Sequence, residues 1–206
     1  MNKNYVLFLH PVKNLLVIIM SIINYFNLQA IFGWLLFTCV NASLCAQTAE
    51  EWKILGDAAS DSLDYDQAIA YYLKAIEVDH NYFDAYHQLG IAYVEKEDYD
   101  QAIEYFDKAL AIDSLHADTY FILGNTYVSG KQDYDKAIEL FKKGIKLKPD
   151  SPEECFLLGF LYKEKGNNTY GIMYVKKAAQ LGNETAQQFF MDNGMSWENI
   201  FVKLDY

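Results

Sequence analysis

The 206-residue chain contains no arginine, only three prolines and only three cysteines. Three scattered cysteines are too few for a disulfide framework or a thiolate metal site. Without arginine, the chain lacks the side chain best suited to hold a phosphate or carboxylate through two parallel hydrogen bonds. Its net charge of −11 also argues against nucleic-acid binding, which requires basic residues to neutralise phosphates. We therefore expect no nucleic-acid partner, no metal site and no cofactor.

Charge is also nearly absent from the first 49 residues, where Lys3 and Lys13 are the only charged side chains. Residues 15–40 are strongly apolar and long enough to cross a hydrocarbon layer of about 30 Å. The end of an apolar segment that carries basic residues usually stays in the cytoplasm. We therefore expect the rest of the chain to be exported: it would lie in the periplasm, outside the cell, or anchored to the membrane and facing out of the cytoplasm. Small residues follow at positions 41–47, as at a cleavage site. Residues 1–46 are thus predicted to be either a cleaved signal peptide or a retained single-span anchor.

The remainder of the chain repeats itself with a period of 34 residues. The segment from Trp52 to Gly56 matches two later segments that end at Gly90 and Gly124. A second pattern, an Asp-Tyr-Asp triplet followed by Gln or Lys, Ala and Ile, begins at Asp64, Asp98 and Asp133. A fourth and weaker copy passes through Leu158 and Gly159. A fixed period of this length is the signature of a repeat architecture.

These residue types at this spacing resemble the tetratricopeptide repeat (TPR), in which an aromatic residue, Leu-Gly and Tyr precede a second helix with conserved small and aromatic positions. The end of the fourth copy, residues 177–183, resembles the related Sel1-like repeat. The resemblance implies an all-α, right-handed helical solenoid of about four helix-turn-helix repeats spanning residues 47–182. The repeats are expected at about residues 49–82, 83–116, 117–151 and 152–182.

Local signals support a helical interpretation independently of the resemblance. Thr48 and Glu51 have the spacing of a capping box at a helix start. Apolar residues recur at helical spacing, and no segment alternates with period two, so we expect no β-sheet. Residues 183–206 are predicted to form capping helices, one over 185–191 and one that begins at Ser196 and carries Trp197, Ile200, Phe201 and Leu204 on one side.

The TPR resemblance also implies a concave groove lined by fixed positions of the first helix of each repeat. Transferred to this sequence, these positions predict an acidic edge and a floor that becomes apolar and aromatic toward the last two repeats. We expect Phe121, Phe156 and Phe160 of this floor to be exposed, because other positions of the repeat supply the core packing. The alternative is that these three rings pack beneath the C-terminal segment. The predicted peptide-binding residues are Asp84, His87, Ile91, Asp118, Phe121, Asn125, Glu153, Phe156 and Phe160.

No motif for catalysis is present: the chain has no HExxH, GxSxG or glycine-rich phosphate loop. We therefore predict a non-catalytic protein-interaction module that is exported or membrane-anchored. Its expected partner is a peptide or protein with apolar and basic residues, and residues 15–40 would associate with the membrane if they are retained. The alternative is a structural scaffold subunit that self-associates through the apolar C-terminal helix.

Overall fold

The computed structural model describes residues 47–197. The described residues from Thr48 onward belong to one compact unit. The apolar segment at 15–40 and most of the last predicted helix lie outside the described residues, so the expectations about export, anchoring and self-association remain predictions. Across residues 47–197, no helix combines the length and the apolar character that crossing a membrane requires.

Residues 47–197 contain nine helices and no β-strand, as the sequence predicts. They form four helix-turn-helix pairs followed by a single helix. The pairs are α1 (Ala49–Asp61) with α2 (Tyr65–Val78), α3 (Phe83–Glu95) with α4 (Tyr99–Ile112), α5 (Ala117–Lys131) with α6 (Tyr134–Leu147), and α7 (Pro152–Glu164) with α8 (Asn168–Gln180), and the last helix is α9 (Glu184–Asp192).

The helix starts are fixed by the residues that the sequence marks for capping. The Thr48 side chain accepts a hydrogen bond from the backbone N–H of Glu51 at 3.1 Å, and the Glu51 carboxylate accepts one from the Thr48 N–H at 2.8 Å. The side chains of Asp64, Asp98 and Asp133 each accept one such bond from a backbone N–H in the first turn of the second helices of the first three repeats. Each such cap typically contributes about 1 kcal/mol to helix stability.

Within each of the first three repeats, the two helices pack through one glycine and one large ring. The rings of Tyr72, Phe106 and Phe141 lie against Gly56, Gly90 and Gly124, respectively, and all three rings are buried. A Cβ atom added to Gly90 would lie only 2.6 Å from the Phe106 ring. The glycine is therefore required by the close approach of a ring from the partner helix.

Successive repeats are joined by a recurring pair of opposite charges. A lysine at or just beyond the end of a first helix contacts an aspartate in the first turn of the preceding second helix: Lys96 with Asp66, Lys131 with Asp100, and Lys165 with Asp135. Exposed pairs of this kind contribute only about 0–1 kcal/mol each. They occur at the same place in three successive junctions and favour the same register between neighbouring repeats.

Candidate functional site

The three acidic residues of the predicted groove lie in the first turns of successive first helices. Asp84, Asp118 and Glu153 are all exposed. Asp118 is already paired, because Lys148 Nζ lies 3.1 Å from its Oδ1 atom. Within residues 47–197, neither Asp84 nor Glu153 forms an ion pair. These two carboxylates are the ones available to a basic ligand.

His87 is held in a hydrogen-bonded network between the second and third repeats. Its Nδ1 atom lies 3.0 Å from the hydroxyl of Thr119, which is fully buried, and that hydroxyl lies 2.8 Å from Nδ1 of His116. The Thr119 backbone N–H donates to the same His116 nitrogen at 3.3 Å, so this nitrogen is an acceptor. The Thr119 hydroxyl must then donate to His116 and accept from the Nδ1–H of His87.

The surroundings keep His87 uncharged at neutral pH. The pKa of His87 is lowered to about 4, mainly by burial and to a smaller extent by the neighbouring His116, while Asp84 and Asp118 act in the opposite direction. The ring also stacks on Phe83 with a centroid separation of 5.7 Å. His87 is therefore a neutral part of the junction between two repeats, and only its outer surface contributes to the groove.

The expectation that Phe121 is exposed in the groove is wrong. Its side chain is only 4% exposed and packs against Phe141, with the ring centroids 5.8 Å apart. A Cβ atom on Gly144 would overlap the Phe121 ring. The first two repeats have Ala75 and Ala109 at the position of Gly144. The missing methyl group in the third repeat therefore leaves the space into which the Phe121 ring turns.

Two other predicted groove residues keep part of their surface free but do not meet an apolar cavity. Ile91 is half-buried and packs against the cluster that contains Phe106 and Leu123. Asn125 is exposed on α5. Neither residue lines the cavity formed by the last repeat.

Phe156 and Phe160 of the last repeat both line an open apolar cavity of about 160 Å³. We call it the Phe160 cavity. Phe156 is half-buried against the core, so its expected exposure is only partial. Phe160 is 50% exposed, and Ile172 on the facing helix is 47% exposed. The residues that line the cavity come from α7, α8 and α9 and are Phe156, Gly159, Phe160, Lys163, Asn168, Gly171, Ile172, Val175 and Phe189.

Seven of the nine cavity residues were not among the predicted site residues, and the side chains of three of them, Ile172, Val175 and Phe189, form apolar walls. The sequence contains a signal that could have found them. Val175 occupies the place where Tyr72, Phe106 and Phe141 pack in the earlier repeats. A smaller side chain at this place fills less space beside Gly159, so an apolar cavity is expected next to it.

Reactive groups do not gather in the part of the chain that the structure describes. Residues 47–197 contain no group of three potential metal ligands. Cys155 is buried, and this burial raises the pKa of its thiol to about 11. The thiol therefore stays protonated at neutral pH and is a poor nucleophile.

Comparisons with known proteins agree with this geometry. The tetratricopeptide repeat family matches residues 46–114 and 82–150, and the Sel1 repeat family matches residues 154–183. The Sel1 match confirms the different character of the fourth repeat. A comparison with curated proteins gave no match.

Several solved structures of MamA are similar to the chain. One crystal structure of MamA is 30% identical in sequence, has a TM-score of 0.63, and aligns over 68% of this chain and 81% of that one. A structure of MamA from residue 41 to the end, from Desulfovibrio magneticus RS-1, is 24% identical with a TM-score of 0.60 and aligns over 65% and 75% of the two chains. At that lower identity the likeness shows the fold alone.

The family matches and the solenoid geometry together support a protein-interaction scaffold of a non-catalytic repeat family. The matched TPR segments cover residues 46–150, which is about half of the chain, and the helix pairs follow their period. The chain therefore belongs to the tetratricopeptide repeat family.

Proposed function

We propose that the face formed by the first helices binds a segment of a partner protein, and that one large apolar side chain of this segment enters the Phe160 cavity. The observation that carries the proposal is the exposure of Phe160 and Ile172 around an open cavity with apolar walls. Concave, mostly apolar sites with a few polar groups are typical of ligand pockets. The size fits one side chain, because an apolar cavity of about 150 Å³ can hold a benzene ring.

Charges near the cavity favour a basic residue in the ligand on one side of the apolar side chain. Glu153 is exposed on the same helix as Phe156 and Phe160, and Asp84 is exposed two repeats earlier. Complementary charges of this kind mainly set partner choice and association rate. Lys163 lines the other end of the cavity, so the basic residue belongs on the Glu153 side.

Peptides selected from a random display library against the chain test this proposal. We expect enrichment of a large apolar residue next to Lys or Arg. Phe160→Ala should weaken binding of the enriched peptide about tenfold or more, because burying a ring of this size contributes up to about 1.5–3 kcal/mol. Isothermal titration calorimetry measures the change in affinity.

Leu115→Ala is the matched control, since Leu115 is 72% exposed and lies outside the Phe160 cavity. This variant should bind the peptide with unchanged affinity. If the Phe160→Ala variant also binds unchanged while its thermal unfolding remains like that of the parent, the Phe160 cavity is not the binding site.

We further propose that the repeats function outside the cytoplasm. Support comes from Lys3 and Lys13 preceding a charge-free segment up to residue 49. A reporter that is active only in the cytoplasm, fused after Tyr206, should stay silent in the full chain. The same reporter fused to residues 47–206 should be active, and activity of the full-chain fusion would contradict export.

A further inference from the structure

A second cavity lies on the second helix of the third repeat and shares no lining residue with the Phe160 cavity. It has a volume of about 410 Å³. Its floor is apolar and consists of Ile138 on α6 and Tyr162 on α7, both half-buried. Its rim consists of Asp135, Glu139, Lys142, Lys143 and Lys146. We call this cavity the Lys142 groove.

Both carboxylates of the rim are paired within the described residues, whereas two of its three lysines are not. Lys165 pairs with Asp135 at 2.8 Å, while Lys136 and Lys143 both pair with Glu139, at 3.1 and 2.7 Å. These contacts lower the pKa of Glu139. Within residues 47–197, Lys142 and Lys146 have no ion pair. The rim has three lysines, and Lys136 and Lys165 pair with its carboxylates from outside it, so these five lysines exceed the two carboxylates by three positive charges.

The two preceding repeats lack this excess, although the floor recurs in them. Tyr93 and Tyr127 stand at the place of Tyr162 in the preceding repeats, with Ile69 and Ile103 at the place of Ile138. At the place of Lys142 the earlier repeats have Leu73 and Asp107, and at the place of Lys146 they have Glu77 and Ala111. The repeat architecture therefore explains the floor but not the two lysines.

The distribution of charge along the solenoid favours binding of an anionic ligand at the groove rather than at the first repeats. Residues 48–130 contain 4 lysines and 17 acidic residues, whereas residues 131–197 contain 10 lysines and 9 acidic residues. An acidic ligand is repelled by the first part of the solenoid and attracted to the groove. Potentials of this kind steer association.

We propose that the Lys142 groove is a second binding site, for an acidic segment of a partner protein that carries one large apolar side chain among its carboxylates. The carboxylates pair with Lys142 and Lys146, one helical turn apart, and the apolar side chain packs on Ile138 and Tyr162. A nucleic acid fits less well, because the excess of three charges is small, the chain lacks arginine, and the whole protein carries −11.

Fluorescence anisotropy of the purified full chain tests the site, with a labelled nonapeptide of glutamates around a central phenylalanine as the probe. We expect salt-sensitive binding that weakens at least tenfold in the Lys142→Glu, Lys146→Glu double variant. Replacing the central phenylalanine of the probe by glycine should also weaken binding. Lys146 is exposed and Lys142 is half-buried. A Lys142→Gln, Lys146→Gln variant repeats the test without placing negative charges near the C-terminus of α6.

Lys74→Glu with Lys108→Glu is the matched control, because it makes the same change in net charge on the second helices of the first two repeats. It should leave the affinity within about twofold of the parent. Equal weakening in the control would show a general charge effect and overturn the proposal. Tighter binding of a single-stranded oligonucleotide than of the peptide, lost in the same double variant, would overturn it in favour of nucleic acid.

Discussion

Phe121→Ala is expected to lower the free energy of unfolding by about 3–5 kcal/mol, the usual range for removing a buried aromatic ring. The ring is 4% exposed and packs against Phe141 and Gly144 in the cluster that also contains Cys155 and Leu158. No side chain nearby can fill the space without moving a helix, because the interiors of proteins are closely packed. Chemical denaturation followed by far-ultraviolet circular dichroism measures the change.

Phe160→Ala is the control variant for this prediction. Phe160 is half-exposed, and its replacement by alanine should lower the free energy of unfolding by less than about 1 kcal/mol, since surface substitutions typically have small effects. If the two alanine variants unfold at the same denaturant concentration, Phe121 does not carry the core packing that the structure assigns to it. The affinity for the partner should change in the opposite order, with a larger loss of affinity for Phe160→Ala than for Phe121→Ala.

Acidification from pH 7.5 to 5 is expected to lower the free energy of unfolding by roughly 1–2 kcal/mol through His87. The pKa of His87 is about 4 in the folded chain and about 6.5 in an unfolded one, so the unfolded state binds the proton first as the pH falls. The stabilisation is complete above pH 6.5 and is lost progressively toward pH 4. Partial exposure of the ring keeps the effect below the full value that the pKa difference allows.

His87→Gln isolates this contribution, because an amide N–H can still donate to the Thr119 hydroxyl but does not titrate. The decrease in stability between pH 7.5 and 5 should be smaller in this variant than in the parent by the same 1–2 kcal/mol. Denaturant titrations at several pH values measure both curves. Parallel curves for the two proteins would show that His87 has an ordinary pKa.

Much of the architecture follows from residues that act locally or recur in the sequence. The capping hydrogen bonds of Thr48, Asp64 and Asp98 depend on side chains within three residues of the helix start, and the sequence predicts them directly. The 34-residue period predicts which helices pair, because each of the first three pairs repeats a glycine that faces a large aromatic ring. The acidic residues at the helix starts are exposed as the pattern predicts, since nothing packs over Asp84 or Glu153.

The sequence by itself thus determined the helical repeat architecture, the family and the excess of negative charge. Only the tertiary structure decided which ring is core and which is surface, and which lysines remain unpaired. Phe121 and Phe156 occupy the same position in their repeats, but Phe121 is buried against Gly144, whereas Phe156 is only half-buried in a repeat with Ala178 at that place. The position of a residue within one helix predicts only the direction in which its side chain points. Exposure depends on the volume of side chains on a neighbouring helix about 20 residues away, and that volume changes with a single methyl group.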